Sequence, residues 1–284
     1  MGKSCSADAE GLHKYGHMSV DGLFGLFGRA AVTAIVVVLA SVIAEAAGPV
    51  IGALAASLPV SAGPTYVFLS LTHDASFVST SALGSFAANA ATIVFLATYA
   101  LIAIGRTRLA ALLPAILVWL VAALLIQSIR WTPLLALTLN AGAFVAGVSL
   151  TRPLLSSELK VVSAARATRR DLAGRALAVA LFVAGVLGLS AVLGPAATGV
   201  VATFPIVFVV LIFVLRPRVG DAACALLAAT ALRAMGGFGL MFLVAHLAVV
   251  PLGTAAGLLL ALLPTLAWSL VLAYRHNRAL QAGT

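Results

Sequence analysis

From residue 30 onward the chain alternates long aliphatic runs with short breaks of Gly-Pro, polar or basic residues. A helix needs about 20 apolar residues to cross about 30 Å of hydrocarbon, and the runs have that length. None shows the polar and apolar alternation of lipid-facing barrel strands. The expected fold is all-α, a polytopic transmembrane helix bundle of about nine helices. The breaks place spans near residues 30–47, 50–71, 79–104, 109–128, 132–150, 175–193, 196–215, 222–249 and 252–274. Residues 1–28 read as a polar tail, 153–174 as a basic loop and 275–284 as a C-terminal tail. The stretch THDASFV, residues 72–78, reads as a short loop.

One stretch is stated twice. RAAVTAIVVVLASVIAEAAGPVIGALAASLP from Arg29 meets RALAVALFVAGVLGLSAVLGPAATGVVATFP from Arg175, 146 residues later and without a gap. Gly48-Pro49 falls on Gly194-Pro195 and Pro59 on Pro205. Alanine and valine matches carry little weight in so apolar a chain, but the spaced Arg, Gly-Pro and Pro matches indicate an internal duplication. The chain then divides into a four-helix repeat at 29–130, a connecting helix at 131–152 and a second four-helix repeat at 175–274.

Composition agrees, with 63% hydrophobic and 9% charged residues, far fewer charges than soluble domains carry. The net charge of +9 does not point to nucleic acid, because the bases lie between apolar runs and obey a topological rule. With the N-terminus outside, 12 of the 17 Lys and Arg fall on the cytoplasmic side, and the reverse orientation inverts that bias. The alanine-rich spans suggest a bacterial inner membrane. The tail lacks a signal-peptide pattern, and MGKSCS fits only a loose myristoylation pattern. Cys5 and Cys224 have no metal-ligand spacing.

Four spans, one connecting span and four more thread the second copy in the reverse sense of the first. Inverted repeats of this kind recur in secondary transporters, which hold solute near the midplane between repeats. The competing expectation is a duplication that built a larger bundle with no transport.

Ser57 to Pro59, the GRTRL bend from Gly105 to Leu109, and Trp119 in the fourth span are matched in the second half by Thr203 to Pro205 and Trp268. On these residues each half resembles the GlpM family of small four-helix inner-membrane proteins. The chain departs from that family in fusing two units through an extra helix, and Val249-Val250-Pro251 replaces the second basic bend. The resemblance implies a membrane bundle associated with exopolysaccharide production, hence the alternative of a non-transporting accessory subunit for envelope or exopolysaccharide assembly. VIAEAAG also resembles the first helix of small multidrug-resistance transporters, with Ala44-Glu45 at the pair holding their coupling acid.

Ionisable groups at membrane depth are functional suspects. Arg233 lies 12 residues into the eighth span, about 18 Å from its start. It is a candidate for binding an anionic group, or for bonding carbonyls freed at Gly236-Gly237. Asn89 and Asn140 fall at similar depth, as solute ligands or as polar glue between helices. Glu45 is a candidate proton-coupling carboxylate or an ion-pair partner for Arg233, or else a helix-end group in headgroup water. Pro49, Pro59, Pro195 and Pro205 are candidate helix breaks, since proline removes a backbone bond and freed carbonyls find no partner in lipid. No metal-ligand spacing, phosphate loop or catalytic pair points to an enzyme, a metal or another cofactor. Beyond the lipid bilayer and an unknown small solute, a homodimer or an envelope-assembly partner is compatible with this reading.

The orientation has a direct test. In a chain with Cys5 and Cys224 replaced, Thr168→Cys should resist an impermeant thiol reagent applied from outside, and Ser128→Cys should label. The opposite pattern would invert the topology.

Overall fold

The computed structural model describes residue 28 and residues 62–156 and 169–282. The first span, the beginning of the second, Glu45, Pro49, Pro59 and most of the basic loop lie outside the described residues.

The described residues fold into helices, with no strand among them: α1 (Ala62–Thr72), α2 (Ala75–Ile102), α3 (Arg108–Gln127), α4 (Pro133–Ser156), α5 (Arg169–Ala202), α6 (Ile206–Leu252) and α7 (Thr254–Ala282). Five segments, Ala75–Ile102, Arg108–Gln127, Pro133–Leu155, Ile206–Leu252 and Thr254–Arg275, are long and apolar enough to cross a membrane. Leu113, Leu117, Leu120 and Leu124 of α3 are exposed, as are Leu259, Leu263, Leu266 and Leu270 of α7. The outer faces are thus apolar and suit lipid rather than water.

Local chemistry shifts several of the expected boundaries. The connection between α1 and α2 is only His73 and Asp74, not the whole of 72–78. The Asp74 carboxylate accepts the Phe77 amide at 2.7 Å, so α2 starts at Ala75. α4 continues to Ser156, α5 starts at Arg169 and α7 continues to Ala282, so helix extends into the stretches read as loop and tail.

α5 turns sharply at Gly194 (φ 72°, ψ 173°) and α6 at Gly220 (φ 85°, ψ 176°). That backbone region is open essentially to glycine alone. α6 therefore consists of two segments, 206–219 and 221–252. Between α5 and α6 the helix stops at residues 203–205, with Pro205 at φ −77° and ψ 50°. The expected span 196–215 is thus two short helices with a gap.

α2 runs through the middle, packed by α3, α4, α5 and α6. Its buried face carries Ser81, Ser85, Asn89 and Thr92. Ser85 Oγ donates to the Gly199 carbonyl at 2.7 Å, and Thr92 Oγ1 donates to the Thr203 carbonyl at 3.0 Å. Both carbonyls belong to the turn where the helix stops, and in hydrocarbon they have no water to replace a missing donor. Close approach is possible because Gly199 lies on the Ser81–Ser85 backbone; a Cβ there would run into the Ser81 carbonyl. Trp119 of α3 closes the other side, with its ring edge-on to Phe204 at 4.9 Å and its indole N–H donating to Thr92 Oγ1 at 3.3 Å.

Removing one donor should leave a buried carbonyl unpaired, which costs about 1–3 kcal/mol. Ser85→Ala and Thr92→Val should each lower unfolding stability in detergent by that order, whereas Thr92→Ser should stay near wild type. Equal stability for Thr92→Val and Thr92→Ser would show that the hydroxyl does not support the break.

Candidate functional site

Hydrogen bonds sort the bundle into two ends and a centre. At one end Arg216, buried on the first segment of α6, donates to the Ala103 and Arg106 carbonyls, both at 2.6 Å, and to the Tyr99 hydroxyl at 3.1 Å. These carbonyls close the C-terminus of α2, where a cation is favoured. Asp221 answers from across the Gly220 turn, its carboxylate accepting the Gly105 amide at 2.6 Å and the Ala222 amide at 2.8 Å. Arg108 donates to the Phe213 carbonyl at 3.2 Å, its guanidinium 4.7 Å from the Phe213 ring centroid. The two bends are clasped together.

At the opposite end Ser79 Oγ donates to the His246 carbonyl at 2.8 Å, and His246 Nδ1 donates to the Ser79 carbonyl at 2.9 Å. His73 Nε2 lies 2.9 Å from Ser190 Oγ, and its ring stacks on Phe77 at 3.8 Å. Partial burial holds the His73 pKa below the usual histidine range, opposed by the neighbouring Asp74 charge. Trp131 donates to the Ile126 carbonyl at 2.8 Å and finishes α3 at this end.

The centre holds two residues singled out from sequence. Asn89 Nδ2 donates to Asn140 Oδ1 at 2.9 Å and to the Met235 carbonyl at 3.2 Å. Asn140 Nδ2 donates to the Phe86 carbonyl at 2.6 Å and the Ala136 carbonyl at 2.9 Å. The two amides therefore join α2, α4 and α6, and Asn89 Oδ1 is left buried without a partner. Gly239 makes room for them, because a Cβ there would lie 2.8 Å from Asn89 Nδ2.

Arg233 lies half-buried on α6, two residues from Met235, and is not bonded to either asparagine. Gly236 and Gly237 do not free carbonyls for it. They seat Trp268 of α7, whose ring would lie 2.8 Å from a Cβ at either position, and the Gly237 carbonyl accepts from Thr265 Oγ1 at 3.0 Å. The Trp268 indole N–H donates to the Arg233 carbonyl at 2.8 Å. Arg233 Nε is buried and has no hydrogen-bond partner.

Pro195 follows the Gly194 turn and Pro205 stands where α6 begins. Glu45, Pro49 and Pro59 lie outside the described residues. Sequence reasoning missed Ser85, Thr92, Arg216 and Asp221. The hydroxyls had a signal, since Ser81, Ser85 and Thr92 share one helical face at spacings of four and seven. In the sequence, Arg216 counted only among the cytoplasmic bases, and Asp221 only marked the start of the eighth span.

Among the described residues no group of three His, Cys, Asp or Glu could hold a metal ion. Comparison with protein-family models, with curated proteins and with solved structures returns no match.

The asparagine pair predicts a coupling. Asn89→Ala and Asn140→Ala should be non-additive, with a double-mutant coupling near 1 kcal/mol, the order found for polar contacts between membrane helices. Additive effects in detergent unfolding would show that the two amides act separately.

Proposed function

We propose that the protein is a secondary transporter of a small or amphiphilic anionic solute, working by alternating access. It is built of nine spans as two inverted four-helix repeats around a connecting helix. Arg233, Asn89 and Asn140 lie at the level where solute would be held.

The observation that carries this reading is where α2 crosses α6. Asn89 bonds Met235, and these positions are 146 residues apart, the offset of the sequence duplication. Helix starts repeat with the same offset: α2 begins at 75 and the second segment of α6 at 221, while α3 begins at 108 and α7 at 254. The Ser79–His246 and Gly105–Asp221 contacts make α2 and that segment antiparallel. Equivalent positions that meet at the middle of an antiparallel pair are what a two-fold axis in the membrane plane requires. The helix broken at 203–205 adds a second feature of such transporters, irregular backbone at membrane depth.

The clasped end carries Arg106, Arg108, Arg216 and Arg218, which supports its assignment to the cytoplasm, with the C-terminus there and the N-terminus outside. The GlpM-like resemblance fits the repeat unit and adds no reaction. The protein acts without enzymatic chemistry or a cofactor.

Reconstitution in liposomes, with uptake measured across a panel of anionic and neutral metabolites, tests the proposal. At least one anion should be taken up, and Arg233→Ala should reduce that flux about tenfold or more while the protein remains folded. Absence of any flux or binding, with Arg233→Ala merely less stable, would leave the accessory-subunit reading.

A further inference from the structure

The two ends of the bundle invite comparison position by position. In the inverted repeat of the transport reading, an axis in the membrane plane exchanges the ends, and the 146-residue offset pairs their residues. The clasp does not survive that exchange. Arg216 pairs with Ser70, whose hydroxyl donates to the Val67 carbonyl of its own helix at 2.6 Å. Asp221 pairs with Ala75, which has no acceptor, and Gly105 pairs with Pro251, which has no amide hydrogen to donate. Tyr99 pairs with Ala245, and Arg108 with Thr254.

Other residues join the opposite end, and they join it without charge. Ser79 and His246 exchange bonds between α2 and α6, and His73 bonds Ser190 of α5. The Ser190 hydroxyl gives its one hydrogen to the Leu187 carbonyl at 2.7 Å, so His73 Nε2 is the donor toward Ser190. Asp74, the carboxylate at that end, caps its own helix. Among the described residues no charged side chain bonds across that end.

Opening these joints has unequal costs. Hydrogen bonds to an ionised group are roughly twice as strong as neutral ones, and at the clasped end Arg216, Asp221 and Arg108 supply them. Arg216 is 6% exposed and holds three oxygens, so parting α6 from α2 there strips a buried cation of all its partners at once. His73 and His246 are half-buried. Water entering at their end replaces neutral bonds at little net cost.

We propose that the two ends are unequal gates: the clasp is the tight one, and the solute-free protein opens first at the opposite end. With the clasped end in the cytoplasm, the resting protein faces outward and admits its solute from outside. Release of Arg216 and Asp221 is then the step that inward opening has to drive. The order of opening rests on the alternating-access reading; the inequality of the ends does not.

Hydrogen exchange read by mass spectrometry, on the full-length protein in lipid nanodiscs without solute, provides the test. Amides at 99–103 and 222–226 flank the clasp, and their repeat equivalents at 245–249 and 76–80 flank the opposite end. The second set should exchange about tenfold faster or more. Arg216→Ser and Asp221→Ala give the clasp the residues that the repeat carries at the other end. Each should speed exchange at 99–103 about tenfold, and in a protein whose ends alternate each should slow exchange at 76–80 and 245–249. Asp221 is partly exposed, so its variant keeps the test valid if Arg216→Ser folds poorly. Ser70→Ala should change neither end. Equal exchange in the two sets, faster exchange beside the clasp, or a rise at both ends alike in Asp221→Ala overturns the proposal. Faster exchange at the clasp with no slowing at the opposite end would uphold the unequal ends and count against the alternating cycle, so the two readings fail separately.

Discussion

A carbonyl released from a helix inside a membrane must find a donor within the protein, and most of this structure follows from how that demand is met. The helix that stops at residues 203–205 releases carbonyls at Gly199 and Thr203, and α2 reaches both through Ser85 and Thr92. The end of α2 creates the same demand, and Arg216 meets it at Ala103 and Arg106. α2 is therefore both donor and recipient. It can play both parts because its buried face carries small and hydroxyl-bearing residues, where an aliphatic face would hold the neighbouring backbone too far away. The result inverts the pattern of a soluble bundle, with hydroxyls and amides inside and leucines outside.

Charge follows the same economy. Arg108 and Arg216 meet carbonyls at one end, and Asp221 accepts two amides there, so these groups serve backbone that would otherwise lack partners. Arg233 is the exception. It lies between the two ends, its Nε has no partner, and its own carbonyl is occupied by Trp268. A charge kept at that depth without a structural bond is costly, and a bound anion is the reason we infer for its presence.

Much of the architecture was legible in the apolar runs and their breaks. Gly194 and Gly220 turn the chain where a polar or Gly-Pro break stood, because only glycine enters that backbone region. Pro205 marked the interrupted helix through its missing amide. The loop 72–78 misled, because Asp74 is a helix cap and composition alone hides that. The site was legible only in part. Asn89 and Asn140 stood out as lone amides in apolar runs, but nothing local showed that they bond each other across 51 residues. Gly236-Gly237 suggested freed carbonyls, yet their lack of side chains serves the Trp268 ring. Which residue meets which across the bundle depends on register, and register is set by the packing of whole helices.

In the alternating-access cycle we propose, α2 and its antiparallel partner in α6 rock about their crossing while the ends open in turn. Spin labels at Leu71 and Leu247 report one end, and labels at Leu109 and Arg218 report the other. Distance distributions measured in bilayers by pulsed electron resonance should show two populations at each end, and conditions that lengthen one distance should shorten the other. A single narrow distance at both ends, unchanged by any anion that binds, would contradict the account.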